Sequence, residues 1–157
     1  MSKVLVVYFS HSGNTKVVAE KISSILDEDI FEIVTVEKYP VKYNLVVNQA
    51  KKEIEDQIKP VLLNRLVNFY EYDTIVIGYP MWWYTCPMAV FTFLESYDFS
   101  GKVILPFCTH EGSALSTSVE DIKKTVPNAI VKEGLAIRGS KVSESDLLIS
   151  TWLNKVL

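Results

Sequence analysis

With 157 residues, 48% of them hydrophobic and 22% charged, the chain is expected to form a single domain, residues 1–157, with a full core. A formal net charge of -3 gives no polybasic surface for nucleic acid or anionic lipid, and no apolar run approaches membrane-spanning length. Lys3 passes at once into a strand pattern, without the apolar stretch of an export signal, so the expected location is cytoplasmic.

Val4-Leu5-Val6-Val7-Tyr8-Phe9 is apolar on both faces, as a central parallel strand covered on both sides should be. It enters the loop Ser10-His11-Ser12-Gly13-Asn14-Thr15 and then a helical pattern with Val18, Ile22, Ile25 and Leu26 on one stripe. Ile30 to Val36 reads as a second strand. Val47, Ala50, Ile54 and Ile58 mark a second helix from Tyr43, which Pro60 breaks and which residues 61–67 can resume. Residues 73–78 read as a third, buried strand, followed by the loop Tyr79-Pro80-Met81-Trp82-Trp83-Tyr84 and a helix from about Pro87 to Glu95. The fourth strand, Lys102 to Cys108, opens into Thr109-His110-Glu111-Gly112-Ser113. A helical stripe at Leu115, Val119, Ile122 and Val126 follows, then a weaker fifth strand over 129–137 with an edge-like Lys132-Glu133-Gly134. Ser143 can cap the last helix, with Leu148, Trp152, Leu153 and Val156 facing inward.

Strands alternating with helices imply right-handed crossovers and a doubly wound parallel sheet of α/β class. In such sheets ligands sit beyond the carboxyl ends of the strands, which is where the loops after strands one, three and four fall.

The first loop lacks the glycines of a dinucleotide fingerprint and the Gly-Lys-Ser/Thr of a Walker loop. It offers instead Ser10, Ser12 and Thr15 as hydroxyl donors, Gly13 for close backbone approach, and the amides of Asn14 and Thr15 at a helix start. That pattern suits a phosphate better than a simple N-cap with incidental serines. In the second loop Met81, Trp82, Trp83 and Tyr84 offer planes on which a flat ring can stack; at least one tryptophan is expected to do so, the sequence not saying which.

The segment Ser10-x-Ser12-Gly13-x-Thr15 resembles the flavin mononucleotide (FMN) phosphate loop of the flavodoxin family, Thr/Ser-x-Thr/Ser-Gly-x-Thr. The likeness extends along the chain through Ile77-Gly78-Tyr79-Pro80 and the Thr109-to-Ser113 loop, and is nearest to short flavodoxin-like proteins with Pro-x-Trp-Trp after strand three. It implies a five-stranded parallel sheet in order 2-1-3-4-5 within three α/β/α layers, with FMN as cofactor. The residues it points to are Ser10, His11, Ser12, Gly13, Asn14, Thr15, Pro80, Met81, Trp82, Trp83, Thr109, His110, Glu111 and Gly112.

By the same likeness the third loop borders the isoalloxazine ring. His110 and Glu111 are expected to be solvated rather than catalytic, and His11, unusual in such a loop, to point to water. Cys86 and Cys108 lack metal-ligand spacing and read as reduced, structural thiols.

The leading expectation is a low-potential electron carrier serving a reductase and an acceptor protein. Acidic residues and stacked aromatics beside the ring would disfavour the anionic, fully reduced flavin. Glu71, Asp73, Glu95, Asp98 and Glu111 are placed near the loops on this reading, without forming a dense cluster. The runner-up is an FMN-dependent NAD(P)H:quinone-type oxidoreductase with a small quinone-like acceptor. A receiver-like module without cofactor ranks last, because Ser10 stands where an acidic residue would be wanted.

Overall fold

Val4–Tyr8 has no polar face, so it can be satisfied only in the middle of a covered sheet. The computed structural model, which describes residues 3–157, puts it there as β1 with every residue buried. β1 pairs in parallel with β2 (Asp29–Glu32) and β3 (Thr74–Pro80), and β3 with β4 (Val103–His110). The fifth position is shared by two short strands, β5 (Ile130–Val131) and β6 (Leu135–Arg138), both parallel to β4. The sheet therefore has the order 2-1-3-4-5, flanked by helices α1 (Asn14–Leu26), α2 (Tyr43–Asp56), α3 (Met88–Glu95), α4 (Ser118–Thr125) and α5 (Asp146–Val156).

Alternation along each strand divides the core in two. Val4, Val6 and Tyr8 pack with Val76, Leu105 and Phe107 against Val18 and Ile22 of α1 and Ile149, Trp152 and Leu153 of α5. Leu5, Val7 and Phe9 pack with Ile75, Ile77 and Ile104 on the other face, against Ala89, Val90 and Phe93 of α3 and Ile122 of α4. Gly78 is obligatory in β3: a Cβ there would stand 1.9 Å from Cζ of its cross-strand partner Phe107, a fully buried ring.

Several local expectations are corrected. The single strand over 129–137 is interrupted at Lys132-Glu133-Gly134. A Cβ at Gly134 would stand 2.9 Å from Leu115, so the backbone here comes up against the segment before α4. β2 stops at Glu32; beyond it Thr35 bridges Leu62 in antiparallel sense, with the Val36 amide on the Val61 carbonyl at 2.9 Å. Residues 61–67 are thus not helical, because their backbone groups are engaged by a distant segment. In α2 the buried positions are Val46, Ala50 and Glu53, leaving Ile58 exposed, and Ile25 of α1 is exposed too. In α5 the buried stripe is Ile149, Trp152 and Leu153, with Leu148 exposed. Its N-cap position is Ser145 rather than Ser143, after a 3-10 turn over Gly139–Glu144.

Candidate functional site

The loops after β1, β3 and β4 converge at the carboxyl edge of the sheet. In the first, Gly13 adopts a left-handed conformation (φ 102°), which turns the chain into α1. The Ser10 Oγ accepts the amides of Gly13 at 3.2 Å and Lys16 at 3.3 Å, leaving its own proton to donate outward. Among the described residues no hydrogen bond engages the amides of His11, Ser12, Asn14 or Thr15, and the Ser12 side chain is exposed without a partner. Thr15 is buried, its hydroxyl sharing a 2.8 Å hydrogen bond with that of Thr109. That bond fastens the first loop to the start of the third.

His11 does not simply point to water. Its Nε2 lies 2.9 Å from the Pro40 carbonyl and its ring meets Trp82 edge-on at 6.0 Å. Trp82 and Trp83 part company. Trp82 turns inward into an aromatic cluster with Phe9 and Tyr39, at ring separations of 5.4 and 5.0 Å. Trp83 turns outward onto α2, donating its Nε1–H to the Val47 carbonyl at 2.9 Å, with the Lys51 ammonium 5.3 Å from its ring centre. Trp83 and Tyr84 form a two-residue turn closed by Trp82 and Thr85, with φ of 52° and 68°. Bulky side chains seldom adopt this conformation, at a cost of about 1–3 kcal/mol each. The turn is gripped from both sides, by Val47 on α2 and by Thr117, whose hydroxyl donates to the Tyr84 carbonyl at 3.1 Å. Pro80 ends β3, and the Met81 amide bonds the Thr109 carbonyl at 2.9 Å, joining the second loop to the third.

In the third loop Gly112 (φ 146°) donates its amide to His110 Nδ1 at 2.9 Å, and the Glu111 carbonyl accepts from Arg138 Nη1 at 3.0 Å. Burial lowers the His110 pKa; Arg138 pushes the same way and Glu111 opposes. The Glu111 carboxylate reaches back toward α1. A Cβ on Gly139 would stand 2.3 Å from Glu111 Oε1 and 2.7 Å from Asn14 Nδ2, so both side chains crowd that glycine.

Of the five acidic residues expected near the loops, only Glu111 lies there. Glu71 and Asp73 precede β3 and hold Lys3, while Glu95 ends α3 and Asp98 lies between α3 and β4, at the opposite edge of the sheet. Sequence order alone hid this, because a residue just before a strand and one just after it are a full strand length apart. Arg138, Tyr39 and Phe9 were not singled out as site residues. Arg138 could have been found from strand order, since the fifth strand ends beside the fourth.

Both thiols are interior: burial raises the Cys86 pKa well above the usual value and that of Cys108 to about 12. A helix start does not overcome that desolvation at Cys86. No described helix is long and apolar enough to cross a membrane, and no described cluster of His, Cys, Asp and Glu could hold a metal. One cleft, of about 280 Å³, lies between α2, α3 and α4 and meets the second loop at Thr85.

The flavodoxin family model matches residues 3–156. A structure from Bacteroides eggerthii, described provisionally as a flavoprotein, is 31% identical over 99% of this chain and 98% of its own, with a TM-score of 0.88. A Lactobacillus acidophilus flavoprotein in complex with FMN is 25% identical over 92% of this chain and 98% of its own, at a TM-score of 0.75. A Fusobacterium nucleatum flavodoxin bound to FMN, 14% identical over 99% and 97% of the two chains, shares the fold at 0.62. No curated protein matches the chain. A family model that runs nearly end to end over this sheet order and these three loops identifies the chain as a member of the flavodoxin family.

Proposed function

We propose that this chain binds FMN at the carboxyl edge of its sheet and carries electrons between a reductase and an acceptor protein. The observation that carries the proposal is the head of α1: four amides without partners among the described residues, the exposed Ser12 side chain, and Gly13 turned to bring the backbone close. Uncharged donors at a positive helix end fit a phosphate monoester. The amides of His11, Ser12, Asn14 and Thr15 would hold the phosphate, helped by the hydroxyls of Ser10, Ser12 and Thr15. Pro80, Met81 and Trp82 would flank the ring on one side, and the backbone from Thr109 through His110 and Glu111 to Gly112 on the other. Trp83, turned onto α2, would line the outer rim. FMN, when bound, supplies the redox chemistry; the chain orients it, excludes water and sets the charge around it.

Pro80-Met81-Trp82-Trp83 supports a place among the short members that carry Pro-x-Trp-Trp. Two free thiols suit a reducing, cytoplasmic setting. With four of the five acidic residues at the far edge, the low potential expected from sequence rests on aromatic contact with the ring, and the carrier reading does not depend on it.

Purified protein should be yellow and release FMN rather than the dinucleotide. Ser12→Ala with Thr15→Ala should weaken FMN binding by a few kcal/mol, from charge-assisted hydrogen bonds of about 1.5–3 kcal/mol each. Colourless protein whose apo form takes up no FMN refutes the proposal. Steady NAD(P)H consumption with a quinone would replace the carrier by the reductase.

A further inference from the structure

Reduction of a flavin makes it anionic, so a fixed charge beside it sets how readily it is reduced. We infer that Arg138 is a potential-setting residue, its guanidinium locked onto the third loop and favouring the anionic reduced flavin; this rests on the FMN reading above. Arg138 ends β6 in register with His110. Its Nη1 donates to the Glu111 carbonyl at 3.0 Å, and its Nη2 lies 4.0 Å from the point a Gly112 Cβ would occupy. Among the described residues no carboxylate oxygen comes within 4.0 Å of the guanidinium, so its charge is not cancelled by an ion pair.

The charges around it do not replace that effect. Glu111, whose carbonyl Arg138 holds, packs its carboxylate against Gly139 beside Asn14 at the head of α1, where the positive helix end partly offsets it, and Glu133 is paired with Lys155 at 2.7 Å. Lys141 and Glu144, on the turn after Arg138, pair with each other at 3.8 Å. The His110 imidazole already responds to both neighbours, Arg138 disfavouring its cation and Glu111 favouring it.

Two electrons and one proton convert the neutral oxidised ring into a monoanion; in the test the electrons come from dithionite. The two-electron midpoint of the holoprotein is measured above neutrality for wild type, Arg138→Gln, Arg138→Lys and Glu111→Gln. Binding of FMN and of riboflavin to each apoprotein is measured alongside. Arg138→Gln should lose about tenfold of the preference for reduced over oxidised flavin, a fall of about 30 mV. Arg138→Lys should keep the wild-type value and Glu111→Gln should move it upward. An unchanged midpoint in Arg138→Gln, with FMN still bound, overturns the inference alone. So does a variant that loses FMN but not riboflavin affinity, which would assign Arg138 to the phosphate. No flavin uptake by wild type overturns both this inference and the proposed function.

Discussion

The Thr15–Thr109 hydrogen bond joins two loops through the hydroxyls, 2.8 Å apart, of two buried residues that are 1% and 4% exposed. Thr109→Val removes the bond and leaves the Thr15 hydroxyl facing a methyl group. An unsatisfied buried hydroxyl costs about 1–3 kcal/mol. At about 2–4 °C per kcal/mol for a chain of this size, Tm should fall by roughly 2–12 °C. Thr15→Val should cost a similar amount. The double variant removes both polar groups together and should lie close to either single, giving a coupling energy of about 1–3 kcal/mol.

Equilibrium urea denaturation of the apoprotein, followed by circular dichroism, measures all three. FMN affinity sorts the variants differently. Thr109→Val keeps the Thr15 hydroxyl free to donate and should stay near wild type, whereas both variants lacking that hydroxyl should lose about tenfold or more. Stabilities that add within about 0.5 kcal/mol would show that the two hydroxyls do not share a bond, and the reasoning would fail.

Gly78→Ala should destabilise the fold by about 3 kcal/mol, because the fully buried Phe107 ring must leave its place; Phe107→Leu in the same chain should recover part of that loss in a thermal melt. Tyr84→Asn should stabilise by about 0.5–1 kcal/mol, since Asn tolerates φ of 68° and the residue is 63% exposed; a lower Tm would mean that the ring packs usefully. For His110 the folded pKa is depressed, so its contribution is fully present above the usual 6.5 and is lost as pH falls toward the folded value. His110→Gln should therefore flatten the fall in stability below that pH, and an identical pH profile would exclude the effect.

The central strands were legible because burial on both faces leaves an unmistakable apolar run, as in Val4–Tyr8. The phosphate loop was legible because its donors are contiguous in sequence. What escaped depends on distant segments meeting. The pairing of Thr35 with Leu62 turned an expected helix into extended chain. The proximity of Arg138 to Glu111 exists only through the β4–β6 register. The division of labour between Trp82 and Trp83 follows from the turn they start, which sends adjacent side chains to opposite sides.

The two interior cysteines make the molecule its own clock. Neither Cys86 nor Cys108 shows any accessible surface, so an alkylating reagent can reach them only when α3 or β4 comes away from its neighbours. Labelling rates followed by mass spectrometry would then read the opening frequency of the sheet's centre without any engineered probe. A slower rate in the presence of added FMN would measure how strongly an occupied loop edge holds the interior shut.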